Sequence, residues 1–130
     1  MKKKYLAKII AKDIQGLKLI SAYCFKARVK INELKFLKKN QIFLIFLQRF
    51  KLENEKSRQK INSVCKFEFV ESVRSKNIDK NNSDLTLELL AIDLLKNNNK
   101  FEINLIFNNN SCLILSTEII EVTLEDQNKI

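Results

Sequence analysis

The sequence predicts a single α+β domain: a curled, mainly antiparallel sheet of about six to seven strands, with one N-terminal amphipathic helix covering one face or end. Three observations carry that reading. One segment near the N-terminus repeats its apolar residues at helical spacing. From Arg28 onward, apolar residues recur at every second position. Short asparagine-rich runs separate those later segments and suit hairpin turns.

Tyr5 to Lys12 is short and apolar-rich and reads as a strand. Asp13 then supplies an N-cap carboxylate for a helix over roughly residues 13–26. Ile14, Leu17, Ser21 and Cys24 share one face of it, Ile20 falls beside them, and Lys18 lies off that face. Gly16 weakens the helix slightly. In "RVKI" the outward-inward rhythm puts Val29 and Ile31 together, whereas Leu34 and Phe36 follow with opposite parity. A turn or bulge is therefore expected near Asn32 and Glu33.

"KKNQ" turns the chain into "QIFLIFLQRF", Gln41 to Phe50. Its apolar run, Ile42 to Leu47, is far too short for a membrane span and apolar on both faces, which predicts a central strand covered on both sides. Lys51 to Ser63 reads as a charged connection and "VCKFEFVESV" as the next strand. "LTLELLAIDLL" changes parity between Leu89 and Leu90, predicting a second bulge. "FEINLIF" alternates cleanly, and Asn108 to Asn110 join it as a hairpin to "CLILSTEIIEVTLED". Residues 1–4 and 127–130 are expected to fray.

A chain of 130 residues is one domain, and it can bury roughly two thirds of its unfolded surface without a metal or disulfide. The net charge of +9 invites an anionic partner. However, only Arg28, Arg49, Arg58 and Arg74 carry the bidentate guanidinium fork that phosphate recognition favours. The lysines are spread over every segment, which fits a solvated surface and AT-rich codon usage. Cys24, Cys65 and Cys112 form no CxxC pair, and no apolar stretch serves as an export signal or spans a bilayer. A cytoplasmic protein with reduced thiols and no membrane partner is expected.

The sequence has no histidine, which removes Ser-His and Cys-His nucleophiles and conventional zinc sites. Its single glycine removes a P-loop or dinucleotide fingerprint. No cofactor, no metal and no catalytic residue is therefore assigned. The carboxylate pairs Glu118 with Glu121 and Glu125 with Asp126 read as solvated surface near the chain end. The cysteines sit among apolar neighbours and read as core. Lys51, Lys56, Arg58 and Lys60 make a basic loop diluted by Glu53 and Glu55, with no aromatic interleaved.

The arginines on strands are sharper candidates. Arg49 projects on the same side as Phe43, Ile45 and Leu47, so its guanidinium must be paired or reach water. Arg74 ends a strand beside a turn. Each either closes an internal ion pair, with Glu71, Asp93 or Glu88 as candidates, or the two form an anion-binding pair at one end of the sheet.

Four stretches carry a family resemblance: "IFLQRF" (Ile45 to Phe50), "FEFVESVRSKNID" (Phe67 to Asp79), "LELLAID" (Leu87 to Asp93) and "INLIFNNNSCLILSTEIIEVTLEDQ" (Ile103 to Gln127). With "AKDIQGLKLISA" the ordered set spans nearly the whole chain. It resembles a bacterial family catalogued as domain of unknown function 2948. The family's glycine-rich hairpin is here Asn108 to Asn110, and the Gly after its basic residue is here Asn77. Both swaps keep access to positive φ, so these positions read as geometric. The resemblance carries no established activity.

The leading expectation is a non-enzymatic protein-interaction or binding module, with a protein partner or a homodimer through an uncovered edge strand. The alternative is a binder of an anionic ligand (nucleotide, phosphometabolite or RNA) through Arg49, Arg74 and the Lys51 to Lys60 loop with Arg58 and Lys60. A third reading is an enzyme using carboxylate or lysine chemistry.

Overall fold

The computed structural model describes residues 6–50, 59–82 and 84–127. Nine strands and one helix follow in the order β1 (Lys8–Ala11), α1 (Ile14–Tyr23), β2 (Ala27–Leu37), β3 (Ile42–Phe50), β4 (Lys60–Phe67), β5 (Val70–Lys76), β6 (Thr86–Asn97), β7 (Lys100–Phe107), β8 (Cys112–Thr117) and β9 (Val122–Asp126). A 3₁₀ turn at Lys38–Asn40 joins β2 to β3.

The strands make one sheet in the order β1-β9-β4-β3-β2-β6-β7-β8-β5, antiparallel throughout. It curls without closing. The Val70 amide donates to the Gln41 carbonyl at 2.8 Å, which draws the start of edge strand β5 back to the start of β3. The fold class agrees with the α+β expectation, but six to seven strands is a correction to nine. Two segments expected as single strands are each divided. "VCKFEFVESV" breaks at Phe69, whose φ of 60 lies in the left-handed region, so β4 pairs with β3 and β9 while β5 leaves for β8. The closing segment breaks at Glu118–Glu121 into β8 and β9. No Gly or Pro marks either break, which is why strand periodicity ran straight through them.

The helix begins as its cap residue dictates: Asp13 Oδ1 accepts the Gly16 amide at 2.8 Å. It ends at Cys24, short of the expected boundary, because Lys26 turns left-handed (φ 66) and donates its amide to Leu89 in the sheet. Leu17, Ile20 and Cys24 are buried against the inner face of the curl. Ser21 Oγ accepts the Ile92 amide at 2.9 Å, past the Ala27↔Leu89 pair where the β2–β6 ladder ends. Both expected bulges are present, between Val29 and Leu34 in β2 and between Leu89 and Ala91 in β6.

The core is the inner face of the curl: Phe43, Ile45 and Leu47 from β3, Cys65 and Phe67 from β4, and Ile103, Leu105 and Phe107 from β7, among others. Each such side chain contributes about 1.5–3 kcal/mol by leaving water. β3 lies inside the sheet, between β2 and β4, but is not covered on both sides. Its odd residues from Phe43 to Arg49 are buried, whereas Ile42, Leu44, Phe46, Gln48 and Phe50 are half-exposed on the outer face. Residues 1–5, 51–58 and 128–130 lie outside the described residues, and with them the expected fraying, Tyr5, Arg58 and most of the basic loop. Gln127 is held, its amide donating to the Asn62 carbonyl at 2.8 Å.

Candidate functional site

Arg49 ends the inward row of β3, and Asp126 ends the inward row Val122, Leu124, Asp126 of β9. β4 lies between them and contributes inward Ser63. All three side chains are buried, and those of Arg49 and Asp126 have no exposed surface. The guanidinium and carboxylate meet as a fork: Nε to Oδ1 at 2.9 Å and Nη2 to Oδ2 at 2.7 Å. Ser63 Oγ donates to Oδ1 at 2.7 Å, and the Ala7 amide donates to Oδ2 at 2.8 Å. Arg49 Nη1 donates to the Phe50 carbonyl at 3.2 Å, and Tyr23 of α1 places its ring 5.2 Å from the guanidinium carbon.

Burial pushes the Asp126 carboxyl up, but the hydrogen bonds from Arg49, Ala7 and Ser63 and the Arg49 charge outweigh it. The net shift is downward. This carboxylate receives four hydrogen bonds and stays ionised, so it ties β9 to β3, to β4 and to the Ala7 amide that precedes β1. The internal pair foreseen for Arg49 therefore exists, with a different partner from Glu71, Asp93 or Glu88. Asp126 is buried rather than on the solvated surface expected for it, and its parity with Val122 and Leu124 is the signal that points inward. Glu71 instead pairs with Lys100 at 2.8 Å.

Arg74 is not brought to this place. It projects from the outer face of edge strand β5, largely exposed, and its Nη2 meets Glu102 Oε2 at 2.7 Å. Arg49 and Arg74 thus end in separate carboxylates on opposite faces of the sheet. Lys60 opens β4 on the outer face, with Nζ 5.7 Å from the Phe50 ring centroid.

The carboxylates on the outer face pair differently from their sequence neighbours. Glu121 meets Glu68: a shared side-chain hydrogen bond raises the Glu68 carboxyl, burial adds to it, and Lys66 opposes. Lys8, Lys12 and Glu125 line the same shallow hollow. Burial pushes the Cys24 thiol up to about 12 and the Cys65 thiol well above its ordinary value, so these two are core groups and not nucleophiles. Cys112 is half-exposed. Among the described residues, no three acidic, Cys or His side chains gather to hold a metal ion, and no helix is long and apolar enough to cross a membrane.

A wide concavity lies elsewhere, on the outer face. Between Val29↔Leu47 and Leu34↔Ile45, β2 spends more residues than β3, so Lys30–Glu33 bow away from the ladder. The bow walls a trough of about 580 Å³ lined by Arg28, Lys30 and Glu33 of β2, Phe46 and Gln48 of β3, Asn62 of β4, Thr86 and Gln127. Arg28, Lys30 and Lys35 take part in none of the ion pairs of the described residues. Sequence reasoning missed this place because its residues come from separate strands and alternate with core positions.

No curated protein and no solved structure matches the chain. The family described as Protein of unknown function (DUF2948) matches residues 7–130, so the chain, as its ordered stretches suggested, belongs to that family.

Proposed function

We propose that this chain is a non-enzymatic, cytoplasmic binding module that takes an anionic ligand on the outer face of its sheet. The observation that supports this reading is the trough, where Arg28 and Lys30 form no ion pair among the described residues and stand beside the amides of Gln48, Asn62 and Gln127. An anion there would meet charge and directional donors together. Arg49 contributes through architecture, by fixing β3 against β9, and Arg74 is already engaged by Glu102. The test is thermal melting with inorganic polyphosphate and nucleoside phosphates at low and high salt. A ligand at a hundred times its Kd stabilises the fold by about 2.7 kcal/mol. The Arg28→Gln/Lys30→Gln variant should lose that stabilisation. A flat response across the panel at low salt removes the reading.

A second reading, a protein partner, is favoured by one feature. Ile31, Leu34, Phe36 and Phe43 face Val73 and Ile78 across the unclosed seam of the curl, in an apolar hollow of about 290 Å³. Edge strand β5 borders it and leaves one row of backbone groups outside the ladder. Val73→Glu should then abolish capture of that partner while sparing polyanion binding; equal capture by wild type and variant counts against it.

A further inference from the structure

The outer face of β3 carries a pattern that runs beyond the trough. Phe46, Gln48 and Phe50 project outward in alternation, and at about 3.4 Å per residue the two rings stand about 14 Å apart along the strand. Each ring has a cation beside it. Lys35 Nζ lies 5.6 Å from the Phe46 centroid and Lys60 Nζ lies 5.7 Å from that of Phe50. Gln48 is flanked across the ladder by Arg28 of β2 and Asn62 of β4. Lys30 and Lys35 extend the charged wall into the neighbouring hollow beside Phe46. Among the described residues the acids nearby are Glu33 on that wall and Glu88 opposite Arg28, so the described cations are in excess.

We propose that this face binds single-stranded nucleic acid, with bases stacked on Phe46 and Phe50 and phosphates held by Arg28, Lys30, Lys35 and Lys60. The inference rests on the anionic-ligand reading and adds the ligand class to it. A phosphometabolite would use the trough and gain nothing from Phe50. A duplex would offer its phosphates but keep its bases stacked inside. Only a single strand uses rings, amides and cations together, because every base has a π-face for stacking and an edge that Gln48 or Asn62 can hydrogen-bond. A base arriving on either ring displaces an ammonium that then has a phosphate within reach. The two lysines thus occupy the rings in the free protein and move to the backbone of the bound strand.

The test is fluorescence anisotropy of the full chain with labelled oligo-uridine and oligo-thymidine of about twelve nucleotides, within the site sizes such sheets use, and with a duplex of equal length. Single strands should bind more tightly than duplex. The slope of log affinity against log salt should be about −3, from about −0.7 per phosphate neutralised, and Lys30→Gln should reduce it by about 0.7. Phe46→Leu should weaken binding about fivefold to a hundredfold, while Phe46→Tyr keeps it. Tighter binding of uridine than thymidine would assign RNA through its 2′-hydroxyl, and equal binding supports the single-stranded class as stated. Duplex binding as tightly as single strands overturns the inference, and this comparison needs no variant. Unchanged affinity in folded Phe46→Leu and Phe50→Leu overturns it as well. Stabilisation by polyphosphate without oligonucleotide binding overturns it and leaves the anionic-ligand reading standing. No response to any polyanion overturns both.

Discussion

Asp126→Asn tests the buried fork with the least change of shape. The carboxamide keeps the size of the carboxylate but removes its charge and turns one acceptor into a donor aimed at Arg49 or Ser63. Arg49 loses the Asp126 carboxylate at a site where neither side chain reaches water. Breaking a buried pair by removing one partner costs about 3–5 kcal/mol. With 130 residues and an unfolding entropy of about 2.1 cal/mol/K per residue, 1 kcal/mol corresponds to about 4 °C. The melting temperature should therefore fall by about 11–18 °C, with an unchanged dependence on urea concentration if the fold is kept. The double variant Arg49→Met/Asp126→Leu removes both charges and should regain most of that loss, since apolar replacements of buried pairs are often neutral. Thermal and urea unfolding of wild type, Arg49→Met, Asp126→Leu and their double variant measure the coupling directly. If Asp126→Asn melts within about 2 °C of wild type, the fork does not hold the curl together.

The same carboxylate sets an acid limit. Its folded pKa lies below the ordinary 3.8, so its stabilisation is present above that value and is lost as pH falls through the folded pKa. Urea midpoints of wild type and Asp126→Asn should converge as pH falls through the folded pKa, below the ordinary 3.8; a constant gap refutes the ionised pair. Gly16→Ala should lower stability, although alanine favours helices by about 1 kcal/mol. A Cβ there would lie 2.9 Å from Ala11 Cα and Cβ, and overpacking of this kind costs about 1–3 kcal/mol; a higher melting temperature refutes that contact. In the native protein a thiol reagent should label Cys112 first, with Cys24 and Cys65 reacting only on unfolding. Three equally fast thiols would contradict the burial assigned to α1 and β4.

What was legible in the sequence was whatever two-residue or helical periodicity encodes locally. Asp13 announced the helix, both parity changes announced real bulges, and the asparagines announced left-handed turns: Asn77, Asn109 and Asn110 all take φ near 60. What stayed hidden were breaks made by residues that seldom make them. Phe69 and Lys26 adopt positive φ because hydrogen bonds at Val70 to Gln41 and at Lys26 to Leu89 fix the chain there. Those contacts are between distant segments, and local propensity does not contain them. The candidate site follows the same division. The inward aim of Arg49 was readable from its parity, but its partner lies 77 residues away on another strand. The outer face was missed because strand alternation separates Phe46, Gln48 and Phe50 by core residues. A search for contiguous basic and aromatic runs therefore passes over them.

In the proposed function anions meet the outer face of β2, β3 and β4 while Arg49 remains a buried strut. Backbone amide shifts of the isotope-labelled chain, titrated with a single-stranded oligonucleotide, address it residue by residue. The shifts should concentrate at Arg28 to Lys30, Phe46 to Phe50 and Lys60 to Asn62 and fade with added salt. Shifts confined to the β5 edge around Arg74, or none at all, would contradict it.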